Sequence, residues 1–145
     1  RFWSKKRHQH PKVWPIESYI ALAKKLKQLN PKIKLIITGA ETEKFLAKKF
    51  LQQVTWAIDL IGKTSLFELA ALMDFLKAYV THDTGSLHIA CARNTSLVTL
   101  FGQTKAEFTG PYPVKENTKI IRKNNVTDIT VDEVYSTLQQ LVSLK

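Results

Sequence analysis

Five short apolar runs alternate along this 145-residue chain with segments of helical period, and no other feature restricts its fold so strongly. The runs are KIKLIIT (32–38), VTWAID (54–59), KAYVTH (77–82), LVTLFG (97–102) and TKIIRK (118–123). Ahead of the first, PIESYIALAKKLKQL (15–29) sets Ile16, Tyr19, Ile20, Ala23, Leu26 and Leu29 at three- and four-residue spacing, enters through Pro15 and stops at Asn30-Pro31. Helical spacing returns over 42–53, after Ser65 or Thr64 with Glu68 as partner, over about 86–93, and over 131–143 behind a Thr130/Glu133 capping box. Strands that alternate with helices long enough for crossovers predict an α/β fold: a Rossmann-like parallel sheet with helices on both faces. Such a unit opens on a strand, and RFWSKKRHQHPKVW does not read as one, so the first strand is expected to be missing.

A chain of this length, 44% hydrophobic, buries one core, which predicts a single domain over 1–145. No run approaches the ~18 apolar residues of a membrane span, and no secretory leader pattern is present. Cys91 is the sole cysteine, which excludes disulfide frameworks and fits a reducing compartment. The net charge of +10 is unevenly placed. Residues 1–34 carry ten Lys/Arg against the single acid Glu17, while the remainder is nearly neutral. A basic lobe of this kind attracts an anion: nucleic acid, an acidic leaflet or a phosphorylated ligand.

The chemistry-bearing stretch is HDTGS (82–86), where the third run hands over to a helix. Ligands of open parallel sheets bind outside the carboxyl ends of strands, and the exposed amides of a helix start attract phosphate. Gly85 is expected to permit a tight turn and close backbone approach, with backbone donors of residues 85–88 and the Thr84 hydroxyl around an anion. The same residues also suit plain structural work, with Asp83 or Thr84 as a cap, Gly85 as a turn and His88 as a packed ring.

Residues 59–104 contain DLIGKTSL, then DTGSLHIACA, then LFGQT. These resemble the D-L-x-G-K-T-S-L, D-T-G-x-x-H-x-A-A-A and F-G-P-T elements of glycosyltransferase family 9, the ADP-heptose:lipopolysaccharide heptosyltransferases and their relatives. KVWP (12–15) is similar to that family's K-x-W-P element, and TGAETE (38–43) to its G-x-x-x-E element. Gln103 departs from the family by standing where proline is usual.

The resemblance implies the C-terminal half of a two-domain GT-B glycosyltransferase, the half that binds the sugar nucleotide, with the acceptor domain absent. Carried over by residue, it implies Lys12 on the donor diphosphate, Glu43 on the nucleoside, and Asp83 on hydroxyls of the transferred sugar. Thr84, Gly85 and the amides up to His88 would hold the diphosphate, Ser86 and Leu87 would bear on sugar choice, and His88 would reach the phosphates or brace the loop. Lys63, Thr64 and Ser65 look structural.

Inversion needs a base, which the family supplies from the acceptor domain, so no catalytic residue is expected here. No D-x-D element is present, and His8 and His10 lack helical metal spacing, which predicts metal-independent binding with no cofactor. The expected partners are an ADP-sugar, a lipid-linked acceptor and an anionic membrane surface, at the cytoplasmic face. Nucleic acid is not among them, because the basic residues lie on a helix flank without interleaved aromatic platforms. The competing readings are an anion- or nucleic-acid-binding α/β module and a sugar-nucleotide epimerase of similar architecture.

Overall fold

The computed structural model describes residues 13–103 and 106–143. Its helices are α1 (Ile16–Leu29), α2 (Lys44–Gln53), α3 (Leu66–Met73), α4 (Gly85–Ala92), α5 (Ala106–Thr109) and α6 (Val131–Leu141). The strands are β1 (Ile36–Ile37), β2 (Ile58–Asp59), β3 (Tyr79–His82), β4 (Leu97–Phe101) and β5 (Thr118–Arg122). Every strand pairing is parallel. The expected α/β architecture is present, with one difference: the strands form two ladders, β1-β2 and β3-β4-β5, rather than one sheet. β1 and β2 are also much shorter than the apolar runs that hold them, because only the residues that face a partner strand form a ladder.

β4 is the centre of the larger ladder, and all five of its residues are buried. Its run LVTLF shows no polar alternation because both faces are covered, as expected of a parallel strand between helical layers. Val98 and Leu100 face Leu22 and Leu26 of α1, Val134 and Leu138 of α6, and Trp14. Leu97 and Phe101 face the other layer, where Met73, Leu87, Ala90 and Cys91 pack. α1 reaches both ladders, since Ile20 and Ala23 pack with Phe50 and Val54 beneath β1. Trp14 is fully buried and donates from Nε1 to the Ile129 carbonyl at 2.9 Å, with its ring edge-on to Tyr19.

Two helix starts follow the sequence expectation. Ser65 accepts from the Glu68 amide at 3.2 Å while Glu68 accepts from the Ser65 amide at 2.7 Å, so Ser65 rather than Thr64 is the cap. Thr130 and Glu133 form the same reciprocal pair, and Lys123 adds an ion pair to Glu133 at 2.6 Å. The Lys123 ammonium and then the Thr130 amide hold the Glu133 carboxyl at about 2, below its ordinary value. A carboxyl depressed in the folded state stabilises fully above its unfolded value and loses that contribution as pH falls toward the folded one. Denaturation midpoints are therefore expected to fall between about pH 4.5 and pH 2, and to fall less steeply in Glu133→Gln. Equal slopes for the two proteins would contradict the assignment.

Part of the basic lobe is engaged within the fold. Among the described residues, Lys24 donates to Gln53, Lys25 pairs with Asp132, and Lys27 lies over the Trp56 ring. Charge that sequence position alone makes look available is thus engaged between α1, α2 and α6.

Candidate functional site

β3 ends at His82, and residues 83–84 carry the chain into α4. Thr84 takes the extended N-cap conformation, yet its side chain does not cap the helix. Its hydroxyl instead lies 2.9 Å from the Ser86 hydroxyl and 3.2 Å from that of Thr81, which is 3.4 Å from Ser86 in turn. The side-chain oxygens satisfy one another, which leaves the first amides of α4, at Gly85 and Ser86, without a partner among the described residues. Uncapped amides at the positive end of the helix dipole suit an anion.

Gly85 is the first residue of α4 and does not take a left-handed conformation, so the backbone here is one that any residue can adopt. A methyl built on Gly85 would meet no atom of the described residues beyond its own helix turn and chain neighbours within 4 Å. Among the described residues nothing at this Cβ position requires glycine.

The other expected site residues divide. Asp83 is half-buried and accepts from the Thr109 hydroxyl at 3.2 Å, which ties the loop to α5. His88 is exposed, one turn into α4. Leu87 is a correction in role: its side chain is fully buried beside Met73 and Phe101, and its amide donates to the Thr84 carbonyl. Leu87 anchors α4 and presents no surface to a ligand. Lys12 lies outside the described residues.

Glu43 belongs to the turn after β1. Its Oε2 accepts from the Ala40 amide at 2.7 Å, and its carboxylate folds over Gly39, where a methyl would come within 2.6 Å of that oxygen. Gly39 therefore leaves the room in which Glu43 sits. Lys63 donates to Asp59 at 3.0 Å and holds that carboxyl below its ordinary value, which gives both the structural role expected for Lys63.

Tyr19 joins the two loops. Its hydroxyl is 3.2 Å from Nδ1 of His82, at the end of β3, and burial raises its phenol above the usual range with help from the charges of Tyr79 and Glu43. The carboxyl ends of β1 and β3 thus converge on the first turn of α1, so Glu43 and the start of α4 share one edge. Thr38 and Tyr79 are bonded through their hydroxyls at 3.1 Å. Neither Tyr19 nor Thr81 was evident as a site residue from sequence. Thr81 had a usable signal, a hydroxyl inside an apolar strand two residues before Asp83, whereas Tyr19 reads only as an apolar helix position.

Among the described residues no group of three or more His, Cys, Asp or Glu side chains converges as a metal site, and no helix is long and apolar enough to cross a membrane.

Comparison with known proteins places this geometry. The profile of glycosyltransferase family 9 (heptosyltransferase) matches residues 4–138. Lipopolysaccharide heptosyltransferase 2 of Escherichia coli is 33% identical over 114 residues, covering 77% of this chain and 32% of that protein. The enzyme of the same name from Salmonella typhimurium is 32% identical over 116 residues, with the same coverage. Among solved structures, Escherichia coli ADP-heptose lps heptosyltransferase II superposes with a TM-score of 0.80 at 29% identity, over 90% of this chain and 42% of that one. Escherichia coli heptosyltransferase WaaC with ADP gives 0.81 at 25% identity, over 92% and 41%. The chain thus spans about a third of the length of the curated relatives it matches and corresponds to the C-terminal part of their GT-B fold. With the profile extending over nearly all of its length and the D-T-G-x-x-H segment placed at an open helix start, this chain belongs to glycosyltransferase family 9, the heptosyltransferases.

Proposed function

We propose that the chain is the donor-binding part of an inverting heptosyltransferase, which holds an ADP-sugar while a heptose or related sugar passes to a lipid-linked acceptor of lipopolysaccharide type. The observation that carries this reading is the uncapped start of α4, where a Cβ added at Gly85 meets no atom of the described residues within 4 Å. A diphosphate there receives the amides of Gly85 and Ser86, with the hydroxyls of Thr84 and Ser86 alongside. Departure of the nucleotide builds negative charge on the diphosphate, and fixed amide dipoles stabilise that charge without reorganisation. Glu43, on the same edge, accepts from nucleoside hydroxyls, and Asp83 accepts from hydroxyls of the sugar. His88 braces the rim, and Lys12 adds a cation to the diphosphate.

The base that deprotonates the acceptor comes from a domain outside this chain, so the chain alone binds donor without turning it over. Binding needs neither metal nor cofactor. The exposed lysines that remain on the basic lobe face the anionic cytoplasmic leaflet where the acceptor resides.

Titration calorimetry with ADP, UDP and a short oligonucleotide tests the reading. Saturable binding of ADP, unchanged by EDTA and weakened about tenfold or more in Asp83→Ala tested with the ADP-sugar, is the expected result. Oligonucleotide binding with a steep salt dependence and no response to ADP would replace this reading by the nucleic-acid one.

A further inference from the structure

Thr109 ends α5, in the segment that follows β4, and its hydroxyl donates to Oδ2 of Asp83 at 3.2 Å, across 26 positions of sequence. Asp83 belongs to a different loop, the one after β3. An aspartate carboxylate turns broadly about its last torsion, so its direction depends on the groups that bond it. The hydroxyls nearest to it in sequence, those of Thr81, Thr84 and Ser86, turn toward one another. The Thr109 hydroxyl comes instead from a separate element.

A donor fixes a carboxylate only if the donor is itself held. The segment that carries Thr109 is tied down on both sides by contacts in which Asp83 takes no part. Ahead of Thr109, Glu107 accepts from Arg122 of β5 at 3.3 Å. This exposed pair is weak by itself. Behind Thr109, Pro111 is buried, and the Tyr112 and Pro113 carbonyls lie 3.5 and 3.4 Å from Sγ of Cys91 in α4. Lys115 then donates to the Cys91 carbonyl at 3.0 Å. Cys91 packs in the core layer with Leu87, Leu97 and Phe101, so the far side of the segment is anchored to the body of the fold. Thr109 is exposed, and its hydroxyl fills no place in that core.

We propose that Thr109 is a positioning residue for the donor sugar: it holds the Asp83 carboxylate in the direction from which that carboxylate accepts from sugar hydroxyls. The inference rests on the donor-binding reading above and adds to it a determinant of affinity for the sugar apart from the nucleotide. A carboxylate ordered before the ligand arrives gives up less freedom on binding, and a supporting residue outside the contact itself supplies that order. The two parts of the donor are then held by different elements, the diphosphate by α4 and the sugar by Asp83 with its support from α5. A hydroxyl that merely fastened one loop to another would alter stability, or would alter nucleotide and sugar-nucleotide binding alike.

Calorimetric titration with ADP and with ADP-heptose, in the full polypeptide that contains this chain and without acceptor, tests the proposal. Thr109→Val keeps the branched shape and removes the donor. Its affinity for ADP-heptose is expected to fall about fivefold, while its affinity for ADP and its thermal midpoint stay native. Thr109→Ser restores the donor and should recover the ADP-heptose affinity. In an Asp83→Ala background, Thr109→Val should add no further loss, because no carboxylate remains to be oriented. Native ADP-heptose affinity in Thr109→Val, equal losses for the two ligands, or a further loss in the double variant would overturn the proposal and leave the donor-binding reading standing. Native ADP-heptose affinity in Asp83→Ala would instead remove Asp83 from the site, and the role of Thr109 with it.

Discussion

Replacing Trp14 by alanine is expected to lower unfolding free energy by about 3–5 kcal/mol, the range for removal of a large aromatic from a closed core. Trp14 is fully buried where β4, α1 and α6 meet, and its ring stands 4.9 Å from that of Tyr19. Truncation removes that packing and also strands the Ile129 carbonyl, which otherwise accepts from the indole at 2.9 Å. Trp14→Phe separates the two effects. It keeps most of the apolar contact and loses the donor, so it should cost about 1–3 kcal/mol, the range for an orphaned buried polar group. Urea midpoints measured at constant slope decide between these values. A loss below about 1 kcal/mol in Trp14→Ala would mean that the core closes without the indole. Because domains of this kind are stable by only about 5–15 kcal/mol, the substitution removes a large part of the total. The tryptophan of the K-x-W-P element thus acts through the fold, at the root of α1, rather than through ligand contact.

Gly85 is expected to show the opposite pattern, with large effects on binding and small ones on stability. A Cβ at this position meets no atom of the described residues within 4 Å, and the backbone is not in a conformation reserved for glycine. Gly85→Ala should leave the unfolding midpoint unchanged or slightly raised, since alanine is the better helix former by about 1 kcal/mol in helix interiors. If the diphosphate approaches the amides of Gly85 and Ser86, each added carbon intrudes on its path. Affinity for ADP should then fall about tenfold in Gly85→Ala and about 100-fold in Gly85→Val, each tenfold corresponding to about 1.4 kcal/mol. Calorimetric titration beside a thermal melt reads both quantities. Native affinity in both variants, with the fold intact, would remove the start of α4 from the site. The pairing of these outcomes matters because a glycine needed only for folding would lose stability first and binding second.

Much of the local structure was legible in the sequence. The helical spacing from Ile16 to Leu29 and the capping pairs at Ser65/Glu68 and Thr130/Glu133 match the elements observed, because each depends on residues within four positions of one another. The unbroken apolar run of β4 announced a strand covered on both faces. The motif resemblance identified the family, and the HDTGS segment lies at a strand-to-helix junction as expected. Less legible were the roles inside that segment. Leu87 and His88 are neighbours in sequence, yet one is fully buried and the other exposed, since a step of one residue along α4 turns the side chain from the core to solvent. Asp83 or Thr84 reads as a cap, but Thr81 and Ser86 take the Thr84 hydroxyl. Gly85 reads as a turn residue that lets backbone approach closely, and it is the first residue of α4 without a left-handed conformation.

By itself the sequence determined the element types, their order, the parallel α/β class and the family, because periodicity, caps and motif spacing are written in nearby residues. Only the tertiary structure decided that Tyr19 meets His82 across 63 positions of sequence, that Glu43 and the start of α4 share one edge, and that the strands part into two ladders around a groove. Those outcomes depend on which distant side chains and backbone edges come together once the helices pack, and no local pattern encodes them.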